Sequence, residues 1–164
     1  MPDRPNAAQV YRALAPAVLG YLRAQRVPDP EDALGEVFLH VARDLGRFSG
    51  DDAALRRWVF SIAHNRAMDA HRKAARQRSA LDAEVAAGST RQESLSPSDP
   101  LDPVLVEALA TLSADQREVV VLRFVADLPL EAVARITGRR VGAVKALQHR
   151  ALENLRRAVS SDGE

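Results

Sequence analysis

Two stretches of helical periodicity are separated by 25 residues, SALDAEVAAGSTRQESLSPSDPLDP at positions 79–103, in which Ser, Asp, Glu, Gly and Pro displace the apolar residues a core requires. Such a segment buries too little apolar surface to hold one conformation, and it is too long for a turn inside a compact domain. The chain is therefore expected to fold as two small units, residues 8–78 and 104–159, with residues 79–103 as a flexible linker. Both units should be helical. Hydrophobic residues make up 46% of the chain but aromatics only 4%, and Ala, Leu and Arg abound, whereas strands draw on β-branched and aromatic side chains. The fold class is all-α.

In the first unit, Val10, Leu14, Val18 and Leu22 recur at helical spacing, which predicts a helix over 8–26 with a kink at Pro16. VPDP breaks it. Asp29 then caps a second helix, with Pro30 at its first position, Glu31 and Asp32 in its first turn, and Gly46 as its stop. Leu34, Val37, Phe38 and Val41 form its apolar face. A third helix is predicted over 52–77, with Leu55, Val59, Ile62, Ala63, Arg66 and Ala70 along one line and Trp58 as a core anchor. In the second unit a helix over 104–112 precedes a capping box at Ser113 and Gln116, and the helix that follows ends near Asp127 and Pro129.

Charge is segregated although the net charge is only +1. Residues 28–52 carry a net −5, residues 53–78 a net +6 and residues 139–157 a net +5. Two basic patches on separate units suit two sets of phosphate contacts, and solvated helix faces would give the same pattern. The second patch lies in LPLEAVARITGRRVGAVKALQHRALENLRR. A short helix over 130–137 carries Val133, Ala134 and Ile136 on its buried side, Gly138 supplies a positive backbone angle, and a second helix starts near Val141 with Val144, Ala151, Leu152 and Leu155 inward. This is a helix-turn-helix, whose second helix enters a major groove. Arg139, Arg140, Ala143, Lys145, Ala146, His149 and Arg150 face outward; the bases suit phosphate or guanine, and the small alanines allow close approach.

These residues resemble the extracytoplasmic-function (ECF) sigma factors over roughly residues 11–157. LSADQREVVVLRFVADLPLEAVARITGRRVGAVKALQHRALENLR is similar to the family's region four, DPEDALGEVFLHVARDLGRF to region 2.2, and LRRWVFSIAHNRAMDAHRK to regions 2.3 and 2.4. Gly35 replaces a usual Gln. Ala143, Ala146 and Leu147 replace Thr, Ser and Arg, while Gln148 takes an apolar position. The resemblance implies a promoter-recognition factor with core RNA polymerase and promoter DNA as partners and an anti-sigma factor as a further one. It assigns polymerase binding at the largest-subunit clamp helices to Glu31, Asp32, Gly35 and Glu36, with a second contact at the flap. Minus-10 recognition and melting fall to Ser49, Gly50, Asn65, Arg66, Asp69, Arg72 and Lys73, and minus-35 recognition to the outward residues of the final helix. The two promoter elements, about sixteen base pairs apart, lie roughly 55 Å apart on the duplex. A 25-residue coil spans about 25 to 30 Å, so the free chain is expected to stay compact with its DNA faces partly covered until polymerase extends it.

An enzyme has little support. The chain lacks a GxxxxGK loop, an HExxH motif and any cysteine, and no metal or other cofactor is expected. His64 and His71 share a helix face about 10.5 Å apart, too far to ligate one metal, and are read as exposed or DNA-facing. An ordinary helix-turn-helix regulator needs neither the acidic nor the basic half of the first unit, and a helical adaptor leaves the final helix's bases unexplained. No apolar run reaches the ~20 residues of a membrane span, which, with the absent cysteine, points to the cytoplasm.

Overall fold

The computed structural model describes residues 4–82 and 102–161, and every described element is helical. In the first domain, α1 (Ala7–Ala24) starts at a capping box: the Gln9 amide donates to Asn6 Oδ1 at 2.8 Å, and the Asn6 amide to Gln9 Oε1 at 2.9 Å. It runs through Pro16 and closes at Arg26, whose φ of 56° lets the Val27 amide reach back to the Leu22 carbonyl at 3.2 Å. That closure turns Val27 into the core. Asp29 caps α2 (Pro30–Asp44) by accepting from the Asp32 amide at 3.1 Å. Gly46 does not end the chain's helical winding; a 3-10 turn, Leu45–Arg47, carries it on. Asp51 caps α3 (Asp52–Asp82) by accepting from the Ala54 amide at 2.8 Å. The three helices bury Val18, Tyr21 and Leu22 of α1, Val37 and Val41 of α2, and Val59 and Phe60 of α3.

In the second domain Asp102 caps α4 (Pro103–Ala110), and the predicted box forms at α5 (Ala114–Val120), with the Gln116 amide donating to Ser113 Oγ at 3.2 Å. Gln116 Oε1 also accepts from Asn154 Nδ2 at 3.2 Å, which ties α5 to the last helix. A π-helical turn, Val121–Val125, continues α5, and Asp127 with φ 56° ends it. α6 (Leu130–Thr137) and α7 (Val141–Ser161) then form the helix-turn-helix, joined at Gly138 with φ 68°. Val133, Ala134, Val144 and Ala151 fill the space between them, while Ile136 and Leu155 are half-buried.

Sequence and structure part at other places too. α3 extends to Asp82, four residues into the stretch read as linker, and α4 takes its last two, Asp102 as cap and Pro103 as first residue; 83–101 lie outside the described residues. Ala80 to Asp82 continue the helix because nothing before residue 83 breaks it. Leu152, expected inward, is exposed, because the inward stripe of α7 runs through Val144, Gln148, Ala151 and Leu155 and Leu152 stands to one side of it. Trp58 is half-buried rather than a full core anchor. His64 is neither exposed nor DNA-facing: it lies against the second domain, and the two domains pack directly on one another. The π turn meets α1, and α6 meets α3. No helix among the described residues is long and apolar enough to cross a membrane.

Candidate nucleic-acid and polymerase interfaces

The outer face of α7 is set by what lies beneath it. Val144 and Ala151 point into the domain, so Ala143, Lys145, Ala146, His149 and Arg150 are left exposed. Ala143, Ala146 and Arg150 fall on one stripe, Lys145 and His149 on the next. His149 Nε2 lies 3.3 Å from Glu153 one turn on. Arg140 is exposed in the turn before the helix. Arg139 is not: it is half-buried, and its Nη2 lies 2.7 Å from Asp115 Oδ1 on α5. Gln148 is half-buried, with its Oε1 enclosed.

On α3, Asn65, Asp69, Arg72 and Lys73 are exposed and Arg66 half-buried. Asn65, Asp69 and Arg72 share a stripe, and Arg72 bonds Asp69. Ser49 and Gly50 are exposed in the loop before the helix. Phe48 stacks on Trp58 with ring centroids 5.1 Å apart and pins this loop. Gly50, at φ 152°, passes so close that a Cβ there would lie 2.8 Å from the Ala54 Cβ. About 20 Å of helix separates the loop from Asn65. The seven minus-10 candidates thus form two patches, one on the loop before α3 and one on α3 itself, not a single pocket.

On α2, Glu31, Asp32, Gly35 and Glu36 are brought together on one exposed face, and Leu39, 72% exposed, continues it. A Cβ at Gly35 would meet nothing within 4 Å, so the missing side chain opens the surface there. Glu31 pairs with Arg23 at 3.3 Å. The result is an acidic surface with one apolar step.

Sequence reasoning missed a third constellation, at the seam between the domains. Glu118 of α5 is 6% exposed. Its Oε1 accepts from the Tyr21 hydroxyl of α1 at 3.2 Å and from Nδ1 of His64 of α3 at 2.5 Å. Tyr21 and His64 are themselves 3.3 Å apart. Burial, then the Glu118 charge and its hydrogen bond, push the Tyr21 phenol well above its ordinary value. Next to Glu118, Arg117 is also buried; that burial, and then the charge of Arg26, hold its guanidinium below its ordinary value. Arg56 Nη1 donates to the Ala126 carbonyl across the seam at 3.0 Å. Beside it a groove of about 310 Å³ runs between α3 and α6, lined by Arg57, Trp58 and Ser61 on one side and Ala132, Arg135 and Ile136 on the other. The available signal was Glu118 and Arg117 at the head of the apolar run VVVLRFV, where a carboxylate requires partners. Among the described residues no group of three metal-ligating side chains comes together.

Known proteins share both halves of this arrangement. Residues 10–77 match the family described as Sigma-70 region 2, and residues 108–157 match Sigma-70, region 4. The ECF RNA polymerase sigma factor SigD of Mycobacterium tuberculosis is 31% identical over 173 aligned positions, covering 99% of this chain and 81% of SigD. This chain belongs to the ECF sigma factors. Within that family of transcription initiation factors, BldN of Streptomyces coelicolor is 32% identical over 87% of the chain, and the chain spans 55% of BldN's length. CarQ of Myxococcus xanthus is 34% identical over 87% of the chain and 82% of its own. The sigma factor RpoE of Bartonella quintana, solved with the anti-sigma factor NepR, shares the fold with a TM-score of 0.73 at 24% identity, covering 94% of this chain and 97% of RpoE. CnrH, solved with the cytosolic domain of CnrY, gives 0.63 at 21% identity, covering 96% of this chain and 89% of CnrH.

Proposed function

We propose that this ECF sigma factor binds core RNA polymerase in the cytoplasm and directs it to promoters, reading the minus-35 element with α7 and the minus-10 element with the loop at 48–51 and α3. The observation that carries this is the charge layout: an exposed acidic face on α2, and exposed bases on α3 and α7, in one chain. Glu31, Asp32 and Glu36 would meet the polymerase clamp helices, where complementary charge orients and speeds assembly. Arg140, Lys145, His149 and Arg150 would meet the minus-35 major groove, Lys145 and Arg150 as base or phosphate donors and Ala143 and Ala146 as close-approach points. Arg139 then acts through its Asp115 pairing unless DNA displaces that acid. Arg72 and Lys73 would hold minus-10 phosphates, and Asn65 would line the site of an unstacked base, so that single-strand binding offsets the unpairing of a few base steps. The second domain would also touch the flap, and an anti-sigma factor of the kind seen with RpoE is a further partner.

The function is non-catalytic and needs no cofactor. Transcription by core polymerase on a genomic promoter library, with and without this chain, tests it. Added protein should produce a discrete set of start sites that share two upstream elements about sixteen base pairs apart. An unchanged pattern of starts would remove the sigma role.

A further inference from the structure

We propose that the two domains close on one another through an acid-keyed clasp, with Glu118 of α5 seated between Tyr21 and His64, and that this closed form is self-inhibited. The clasp stands on the seam's geometry alone; the inhibition rests on the promoter-reading roles proposed for α3 and α7. Burying a carboxylate is costly unless donors replace its water. Here the first domain supplies two donors to one oxygen, at 3.2 and 2.5 Å, and both come from helices of that domain's own core. The two donors sit together, 3.3 Å apart, on helices that pack within one domain, so that domain's own core holds them side by side. Arg56, donating to the Ala126 carbonyl, closes the seam a short distance away.

The seam also contains a force that opens it. Arg117 is carried in beside Glu118, is buried, has no partner for its Nε among the described residues, and faces the charge of Arg26. One well-partnered acid is thus offset by a buried base whose Nε lacks a partner among the described residues, which leaves the closed form poised rather than locked. Closure has a geometric consequence. It lays α6, the first helix of the helix-turn-helix, against the amino-terminal half of α3, along the groove between Trp58 and Ile136. Packed helices lie about 8 to 10 Å apart, whereas promoter elements sixteen base pairs apart are separated by roughly 55 Å. The closed chain cannot place both reading faces on their elements. Parting the domains exposes Tyr21, His64 and the Trp58 rim, and frees α7 to move away from α3.

The chain has no cysteine, so Ala42→Cys on α2 and Ser160→Cys on α7, both exposed, accept a dye pair for energy transfer in the full-length protein. The native chain should show a dominant high-transfer population. Glu118→Lys should abolish it, and Glu118→Gln should lower the closed-to-open ratio by roughly ten-fold or more, as loss of hydrogen bonds to a charged group implies. Tyr21→Phe and His64→Leu act from the other domain, so they test the clasp if a change at Glu118 unfolds α5, a point read from helical circular dichroism. Unchanged transfer in these folded variants, or a native chain already open, would overturn the clasp. In a second measurement, association with core polymerase should be several-fold faster for the opened variants. Lower transfer with an unchanged association rate would overturn the inhibition and leave the clasp standing, whereas no binding by any form, native included, would strike the sigma role instead.

Discussion

At the scale of single residues, exposure separates the side chains that can read DNA from those that hold the reader in place. Lys145 and Arg150 are exposed on α7 with no ion pair among the described residues, so each is available to a groove. Arg150→Ala and Lys145→Ala should each weaken minus-35 recognition by about 1 to 3 kcal/mol if the side chain meets a base, measured as holoenzyme affinity for promoter variants. If it meets a phosphate, the loss should be uniform across sequences and the salt slope shallower by about one. Unaltered affinity in both variants would take α7 off the DNA. Tyr21 offers a spectroscopic check on the seam, because Tyr11 is the only other tyrosine and Tyr11→Phe leaves one phenol to titrate. Its raised pKa means that the folded chain favours the protonated phenol. The corresponding stability is complete below the ordinary value of about 10 and is lost as pH rises through the raised one. Tyrosinate absorbance in that background should therefore appear well to the alkaline side, and Glu118→Gln should move it back towards the ordinary value. An ordinary midpoint in the unaltered seam would contradict the buried pairing.

At the scale of elements, the turns decide where the helices point. Gly138 adopts φ 68° between α6 and α7, and although a Cβ there would meet nothing within 4 Å, the backbone conformation itself is unfavourable for other residues. Gly138→Ala should cost about 1 to 2 kcal/mol, seen as a lower unfolding midpoint of the second domain. No loss would mean that the turn relaxes into another form. α2 presents its acids on an exposed face, so the double reversal Asp32→Lys and Glu36→Lys should sharply reduce core polymerase binding while leaving the helix content unchanged. Binding as tight as native would move that interface elsewhere. Elements of this kind were largely legible in the sequence: Asp29 with Pro30, Ser113 with Gln116, and Gly138 are local signals whose hydrogen bonds close within a few residues. The π turn at Val121–Val125 was not, since an i→i+5 register leaves the apolar pattern of VVVLRFV unchanged. The end of α3 at Asp82 was missed because composition marks where a core stops, not where a helix does.

At the scale of the whole molecule, the packing of one domain on the other is what the sequence could not disclose. Glu118, Tyr21 and His64 are 97 and 54 positions apart along the chain, and nothing local to any of them announces the other two. Most of the residues proposed for polymerase and promoter contacts stand exposed, as their charge and spacing led one to expect; the exceptions, Arg139 and Arg66, are half-buried by neighbours that only the tertiary fold supplies. The expectation of a compact chain agrees with the direct packing of the domains, but most of the residues assigned to DNA are exposed in it, so closure acts on the spacing of the two faces rather than by covering them. Twenty residues lie between the end of α3 and α4, a length whose contour of about 65 to 70 Å reaches the roughly 55 Å between promoter elements while a relaxed coil of about 22 to 27 Å does not. In the proposed function, core polymerase supplies the separation. Gel-shift affinity for promoter against scrambled duplex at physiological salt, with and without core polymerase, measures this directly. Promoter-specific binding should emerge only with core enzyme, the free chain distinguishing the two duplexes weakly or not at all; strong promoter-specific binding by the free chain would contradict a sigma role and mark an ordinary helix-turn-helix regulator.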